Sequence, residues 1–222
     1  MVTVKSGVPP KLPPERPGAP GGRREQNRLR RVAELCEAGL ELFLAEGIAG
    51  VTVERIAAGA GTSKGNFYRY FEDKEQLVAT LFAPLAAGVA EALDDCVGGV
   101  REATGPEELT DAYEAVGISL GMLLFANRSI VLLYLQESRA PGVGARKPVR
   151  ELADLVGKRA IDLTIAAREN GLLRPFDPRI SALAVVGAVE RLLFGVLSGE
   201  HPIDPTEGAD ALIRIVMDGM RP

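Results

Sequence analysis

The stretch Gly47 to Leu77, GIAGVTVERIAAGAGTSKGNFYRYFEDKEQL, constrains the fold more than any other part of the chain. Thr52 is a good N-cap for a short helix of about eight residues, with Val53, Ile56, Ala57 and Ala60 on its inner face. Gly59 and Gly61 then mark a tight turn, and Ser63 can cap a second helix of about eight residues with Phe67 and Phe71 four apart on one face. Two short helices around a glycine-containing turn have the layout of a helix-turn-helix, whose second helix enters the DNA major groove.

The outer face of that second helix is unusual. With Phe67 and Phe71 inward, Lys64, Gly65, Asn66, Tyr68, Arg69 and Tyr70 are left outward. Four of the chain's eleven aromatic residues fall within these five positions, 67 to 71. Tyrosine hydroxyls and a lysine ammonium reach phosphates, asparagine can pair with a base edge, and Gly65 lets the backbone approach a duplex. The alternative is a short surface helix whose tyrosines pack on neighbours. Helix N-termini at Thr52 and at Asp73-Lys74 are further candidates for phosphate contact.

Around this unit the chain reads as all-α, with about nine helices. Residues 1–24 are rich in proline and glycine and read as a disordered basic arm. Leu29, Val32, Ala33, Cys36, Leu40, Phe43 and Leu44 recur at helical spacing until Gly47 ends the first helix. Asp73 with Gln76 resembles a capping box for a long fourth helix, bent at Pro84 and closed by Gly98 and Gly99. Further helices are expected near 106–126, 128–139, 146–170, 178–199 and 205–219. Asp177-Pro178 and Asp204-Pro205 mark two of these starts sharply.

The composite pattern resembles the N-terminal signature of the TetR family of bacterial repressors. The matching features are the glycine and Thr52-Val53 ahead of the second helix, Ile56-Ala57, Ala60-Gly61, Ser63-Lys64-Gly65, Phe67-Tyr68, Tyr70-Phe71 and Lys74-Glu75. Position 70, often histidine in that family, is tyrosine here. The resemblance covers residues 25–80; beyond them only the helix layout matches. It implies phosphate contacts from Thr52, Thr62, Ser63, Tyr68, Tyr70 and Lys74, and base or close-groove contacts from Lys64, Gly65 and Asn66. Arg23, Arg24 and Arg28 are candidates for added contacts from the arm. The implied organisation is a helix-turn-helix DNA-binding domain at 25–75 and a larger helical ligand-binding and dimerisation domain at 76–222.

Helix 178–199 is apolar nearly all round and must be covered on several sides. With helix 205–219 it is the expected dimer interface, through Leu183, Gly187, Arg191, Gly195, Leu212, Ile213 and Val216; burial within a monomer is the alternative. The middle helices would enclose a largely apolar effector, with Tyr113, Phe125, Arg128, Tyr134 and Gln136 as candidate lining. The implied protein is a homodimeric repressor of palindromic double-stranded operator DNA, released by a small molecule. A ligand shifts a DNA reader by its differential affinity for two conformations, and Pro84 is the expected hinge.

Charge bears on this through its distribution. The chain carries a net −4, yet residues 1–31 hold eight basic and two acidic side chains. No cofactor or metal is expected: zinc spacing and HExxH are missing, and Gly59 to Gly65 fits neither GxGxxG nor a P-loop. His201 is the sole histidine and has no nucleophile constellation, which leaves a helical enzyme as a remote alternative. A DNA-binding regulator without small-molecule sensing is the nearer one, and activation in place of repression stays open. Cys36 and Cys96 are far apart and read as small buried hydrophobes. The longest strongly apolar run, Ile130 to Leu135, is too short to span a membrane, and no secretory leader is evident. The expected compartment is the cytoplasm.

Overall fold

A computed structural model describes residues 22–169, 171, 177–201, 204, 207–208, 211–212 and 214–215. Helix accounts for nearly all of this, and no strand occurs among the described residues. Helix α1 (Arg23–Gly50) is followed by α2 (Val53–Gly59), α3 (Lys64–Phe67) and the long α4 (Lys74–Glu102). Then come α5 (Pro106–Ala126), α6 (Arg128–Glu137), a 3-10 turn at Gly144–Arg146, α7 (Lys147–Glu169) and α8 (Pro178–Ser198). Most of the expected arm, up to residue 21, lies outside the described residues, and Arg23 and Arg24 already belong to α1. The expected helix 205–219 also falls largely outside them.

Five of the helix starts have a local cause in the sequence. The side chains of Thr52, Ser63, Asp73 and Asp177 accept from the N–H groups of Arg55, Asn66, Gln76 and Arg179, satisfying donors that a helix leaves open. α5 and α8 place proline in the first turn, where the missing N–H costs nothing. Gly47 does break α1: its φ of 76° lies in the left-handed region, and a short turn to Gly50 follows.

Two readings of the sequence need correction. The fourth helix does not close at Gly98 and Gly99 but continues to Glu102. A Cβ at Gly99 would sit 3.4 Å from Ala112 Cβ, so this glycine permits a close α4–α5 contact and does not end the helix. The backbone stays helical through exposed Pro84 as well. The second correction concerns membrane-crossing length. By length and mean hydropathy, α4, α5 and α8 all reach the range of a crossing helix. Aliphatic residues keep the average apolar, while glycines and isolated polar or charged residues interrupt any long run.

A head and a body share one core. Leu35, Phe43, Ile48, Val51, Ile56, Phe67 and Phe71 bury the inner faces of α1, α2 and α3 against Leu77 and Val78 of α4. Each such side chain is worth about 1.5–3 kcal/mol on burial. α4, about 43 Å long at 1.5 Å per residue, runs from this head into a body where it packs on α5 and α7, and α7 packs on α8. A second cluster around Val97, Val100, Leu109, Leu163, Ala166 and Ala167 closes the far end.

Candidate nucleic-acid interface and effector cavity

In the head, α2 and α3 are joined by the turn at Gly61 (φ 63°), with the Thr62 N–H bonded to the Ala57 carbonyl at 2.8 Å. α3 is shorter than the expected eight residues. After Phe67 the chain continues in bonds three residues back, Arg69 N–H to Asn66 O and Tyr70 N–H to Phe67 O, before Phe71 returns to the core. These tighter turns keep Phe67 and Phe71 together, ring centroids 5.4 Å apart, and both are buried as their spacing required.

The outward side holds Ser63, Lys64, Gly65, Tyr68 and Arg69, all exposed, with Tyr68 at 49%. Thr52, exposed at the start of α2, accepts the Arg55 N–H at 3.4 Å. Lys64 pairs with Glu54 across the turn, which holds the Glu54 carboxyl below its usual range and raises the lysine. Its ammonium also lies 6.0 Å from the Tyr68 ring centre. An incoming phosphate would meet a lysine already positioned by one carboxylate, at full solvent exposure where exchange of partners is easy.

Other expected contacts sit differently. Asn66 and Thr62 are half-buried and bond to each other, Nδ2 to Oγ1 at 2.7 Å. Tyr70 is half-buried and packs on the core. Lys74 departs furthest from expectation: its ammonium donates to the carbonyls of Ile48 and Val51 at 2.6 and 2.7 Å. It closes the orphaned end of α1, and burial followed by the charge of Arg146 lowers its pKa.

Close to Lys74 lies a junction that sequence reasoning missed. Glu137, buried near the end of α6, accepts the Ile48 N–H at 2.8 Å through Oε1 and Arg146 Nε at 2.5 Å through Oε2. A Cβ on Gly47 would come within 2.9 Å of that Oε1. Head and body are thus tied by a carboxylate 89 positions away in sequence from the amide it holds.

In the body, α4 to α8 enclose a cavity of about 350 Å³, within the range that small-molecule sites occupy. Its wall is overwhelmingly aliphatic. Tyr113, Phe125 and Tyr134 line it, as does Leu212; Arg128 and Gln136 do not. Arg128 is exposed and lies over the Phe125 ring at 5.9 Å, while Gln136 faces outward on α6. Three polar lining residues escaped the sequence reading of the cavity, Thr164, Glu190 and Asp204. A signal for the second existed: Glu190 and Arg191 interrupt the apolar run of helix 178–199. Glu190 accepts the Tyr134 hydroxyl at 2.7 Å and pairs with Arg139 at 2.8 Å. Burial raises both phenols, with Cys96 a lesser cause for Tyr113 and, for Tyr134, the hydrogen bond to Glu190 and then that carboxylate's charge, so each stays neutral.

Of the expected interface residues, Leu183 is 62% exposed, and Gly187 has nothing within 4 Å of a built Cβ. Arg191 is exposed, 3.3 Å from Glu200. Gly195 makes its close approach within the chain, where a Cβ would lie 2.8 Å from the His201 ring. Ile213 and Val216 lie outside the described residues.

Residues 35–81 match the model of a family described as bacterial regulatory proteins, tetR family. Across 214 residues the chain is 30% identical to the HTH-type transcriptional regulator TcmR of Streptomyces glaucescens, covering 93% of this chain and 89% of that protein. The fold matches NalD, the secondary repressor of the MexAB-OprM multidrug efflux pump in Pseudomonas aeruginosa. There the TM-score is 0.66 at 20% identity, over 87% of this chain and 98% of that one. It also matches the transcriptional regulator FadR of Bacillus subtilis in complex with stearoyl-CoA. That TM-score is 0.65 at 16% identity, over 84% and 98% of the two chains. At such identities the two solved structures speak for the fold alone.

Proposed function

Because the chain belongs to the tetR family of bacterial regulatory proteins, and is therefore a transcriptional regulator and not an enzyme, we propose that it is a dimeric repressor. In this reading it binds a two-fold operator and is released when a small molecule fills the body cavity. The observation that carries it is the pairing of a helix-turn-helix with a 350 Å³ apolar cavity on one continuous helix, α4. Residues 25–75 are the DNA-binding head and 76–222 the sensing and dimerising body, working in the cytoplasm.

The proposed phosphate contacts are Thr52, Thr62, Ser63, Tyr68 and Tyr70, and Lys64, Gly65 and Asn66 approach the groove. Lys74 is left out because its donors already serve the Ile48 and Val51 carbonyls. A second copy covers α8, where Ile180 is 70% and Leu183 62% exposed in the single chain. The Glu190-Arg191 pair in mid-helix argues against a lipid environment there. Dimerisation holds two reading heads about 34 Å apart, one helical turn of DNA. A ligand that favours another spacing weakens binding by its differential affinity.

The test is fluorescence anisotropy of the full chain on DNA from upstream of its own gene, across a salt series. Specific, salt-sensitive binding at two chains per site, weakened by Tyr68→Ala, supports the reading. If neither this DNA nor a selection on random sequence yields a specific site, the repressor assignment fails.

A further inference from the structure

The chemistry of the cavity narrows the class of effector, on the premise that the cavity is the sensing site. Among its described lining residues there is no lysine, arginine or histidine. Two carboxylates line it: that of Asp204, an exposed residue, and that of Glu190, whose side chain is only 16% exposed and which is the one set into the aliphatic wall. Oε1 accepts the Tyr134 hydroxyl and Oε2 meets Arg139. A carboxylate offers about four lone-pair positions, so acceptor capacity remains on both oxygens. Arg139 itself is 76% exposed and does not line the cavity. Its charge is therefore largely hydrated, and it compensates Glu190 from the solvent side.

An anionic molecule entering this space would give up its hydration and meet carboxylates, phenols and a hydroxyl, with no cation among the described lining residues to replace the water. A molecule with a cationic head and an apolar body would bury the body against leucine and valine side chains and set the head beside Glu190. Tyr113 adds an aromatic face to the same wall, which also favours cations. We infer that the effector is a lipophilic cation held by Glu190, and not a fatty-acid or acyl-phosphate type of anion.

Isothermal titration with tetraphenylphosphonium and tetraphenylborate, ions of nearly the same shape and opposite charge, tests this on the full chain. Palmitoyl-CoA serves as a third probe. The phosphonium ion should bind once per chain. Glu190→Gln should weaken it about tenfold or more while leaving the borate no weaker, because a hydrogen bond or ion pair to a charged group accounts for a factor of that size. Arg139→Gln should tighten the phosphonium ion by freeing Glu190 of its competitor. This surface variant keeps the test open if Glu190→Gln does not fold, which a thermal melt will show. No phosphonium binding, displacement by palmitoyl-CoA at lower concentration, or an unchanged phosphonium-to-borate ratio in Glu190→Gln would overturn the inference. Operator binding is read separately. A chain that binds operator but no cation loses this inference alone, and one that binds the cation but no DNA loses the repressor reading alone.

Discussion

Glu137 is where the structure makes its sharpest energetic claim. Replacing it by alanine removes two partners at once. The Ile48 amide, on a residue with no exposed surface, loses its Glu137 acceptor, at a cost of about 1–3 kcal/mol for a buried donor left unmade. Arg146, with 26% of its side chain exposed, loses the opposing charge but keeps some water. That lowers its share to about 1 kcal/mol, below the 3–5 found when one partner of a fully buried pair is deleted. Together the loss should be about 3 kcal/mol. For a chain of this size that corresponds to a fall in Tm of about 6–12 °C, with chain concentration held fixed. Glu137→Gln keeps an acceptor for Ile48 and loses only the charge, so it should cost about 1 kcal/mol. Urea unfolding of both variants gives the stabilities, and hydrogen exchange gives the Ile48 amide directly. Exchange at that amide should accelerate in the alanine variant and stay slow in the glutamine variant. Equal losses in the two variants, or a loss under 1 kcal/mol in alanine, would refute the claim that this carboxylate ties head to body.

Three further outcomes are expected. Gly47→Ala should destabilise by about 2 kcal/mol, because its φ of 76° strains an L residue and the new Cβ would lie 2.9 Å from Glu137 Oε1; thermal melts check this. Lys64→Ala should lower the salt slope of operator binding by about one counterion per subunit, because a cation at the groove displaces counterions, whereas Lys74→Ala should leave that slope unchanged and cost about 1–2 kcal/mol of stability. Burial pushes the thiols of Cys36 and Cys96 up to about 11 from 9.0. The unfolded chain therefore releases these protons first, and stability present below pH 9 should decline as pH rises from about 9 to about 11. At pH 8 buried Cys96 should react slowly with Ellman's reagent in the native chain and quickly in denaturant, with half-buried Cys36 the faster of the two in the native chain; fast native reaction of Cys96 would contradict its burial.

Much of the fold is legible locally. The starts at Pro106 and Pro178, the caps at Thr52, Ser63, Asp73 and Asp177, and the break at Gly47 all follow from side chains within three residues of the backbone groups they serve. The inward pair Phe67 and Phe71 follows from helical spacing, and the outward Lys64 and Tyr68 from what that pair leaves over. Recognition of the reading head needed nothing further, because a helix-turn-helix is encoded by period and punctuation over some thirty residues.

The remainder depended on which helices meet. Gly99 reads as a stop signal, yet it lies inside α4 because Ala112 of α5 presses close there. Lys74 reads as a free cation beside DNA, yet the end of α1 folds back onto its ammonium from 26 and 23 positions away. Tyr134 and Glu190 are 56 positions apart, and Ile48 and Glu137 are 89 apart. The sequence by itself determined the helices, their caps and the exposed face of the reading head, since those depend on neighbours three or four residues away. The tertiary structure decided the cavity, the carboxylate within it and the tie between head and body. A buried polar group must find its partner wherever packing brings one, and no local pattern records that distance.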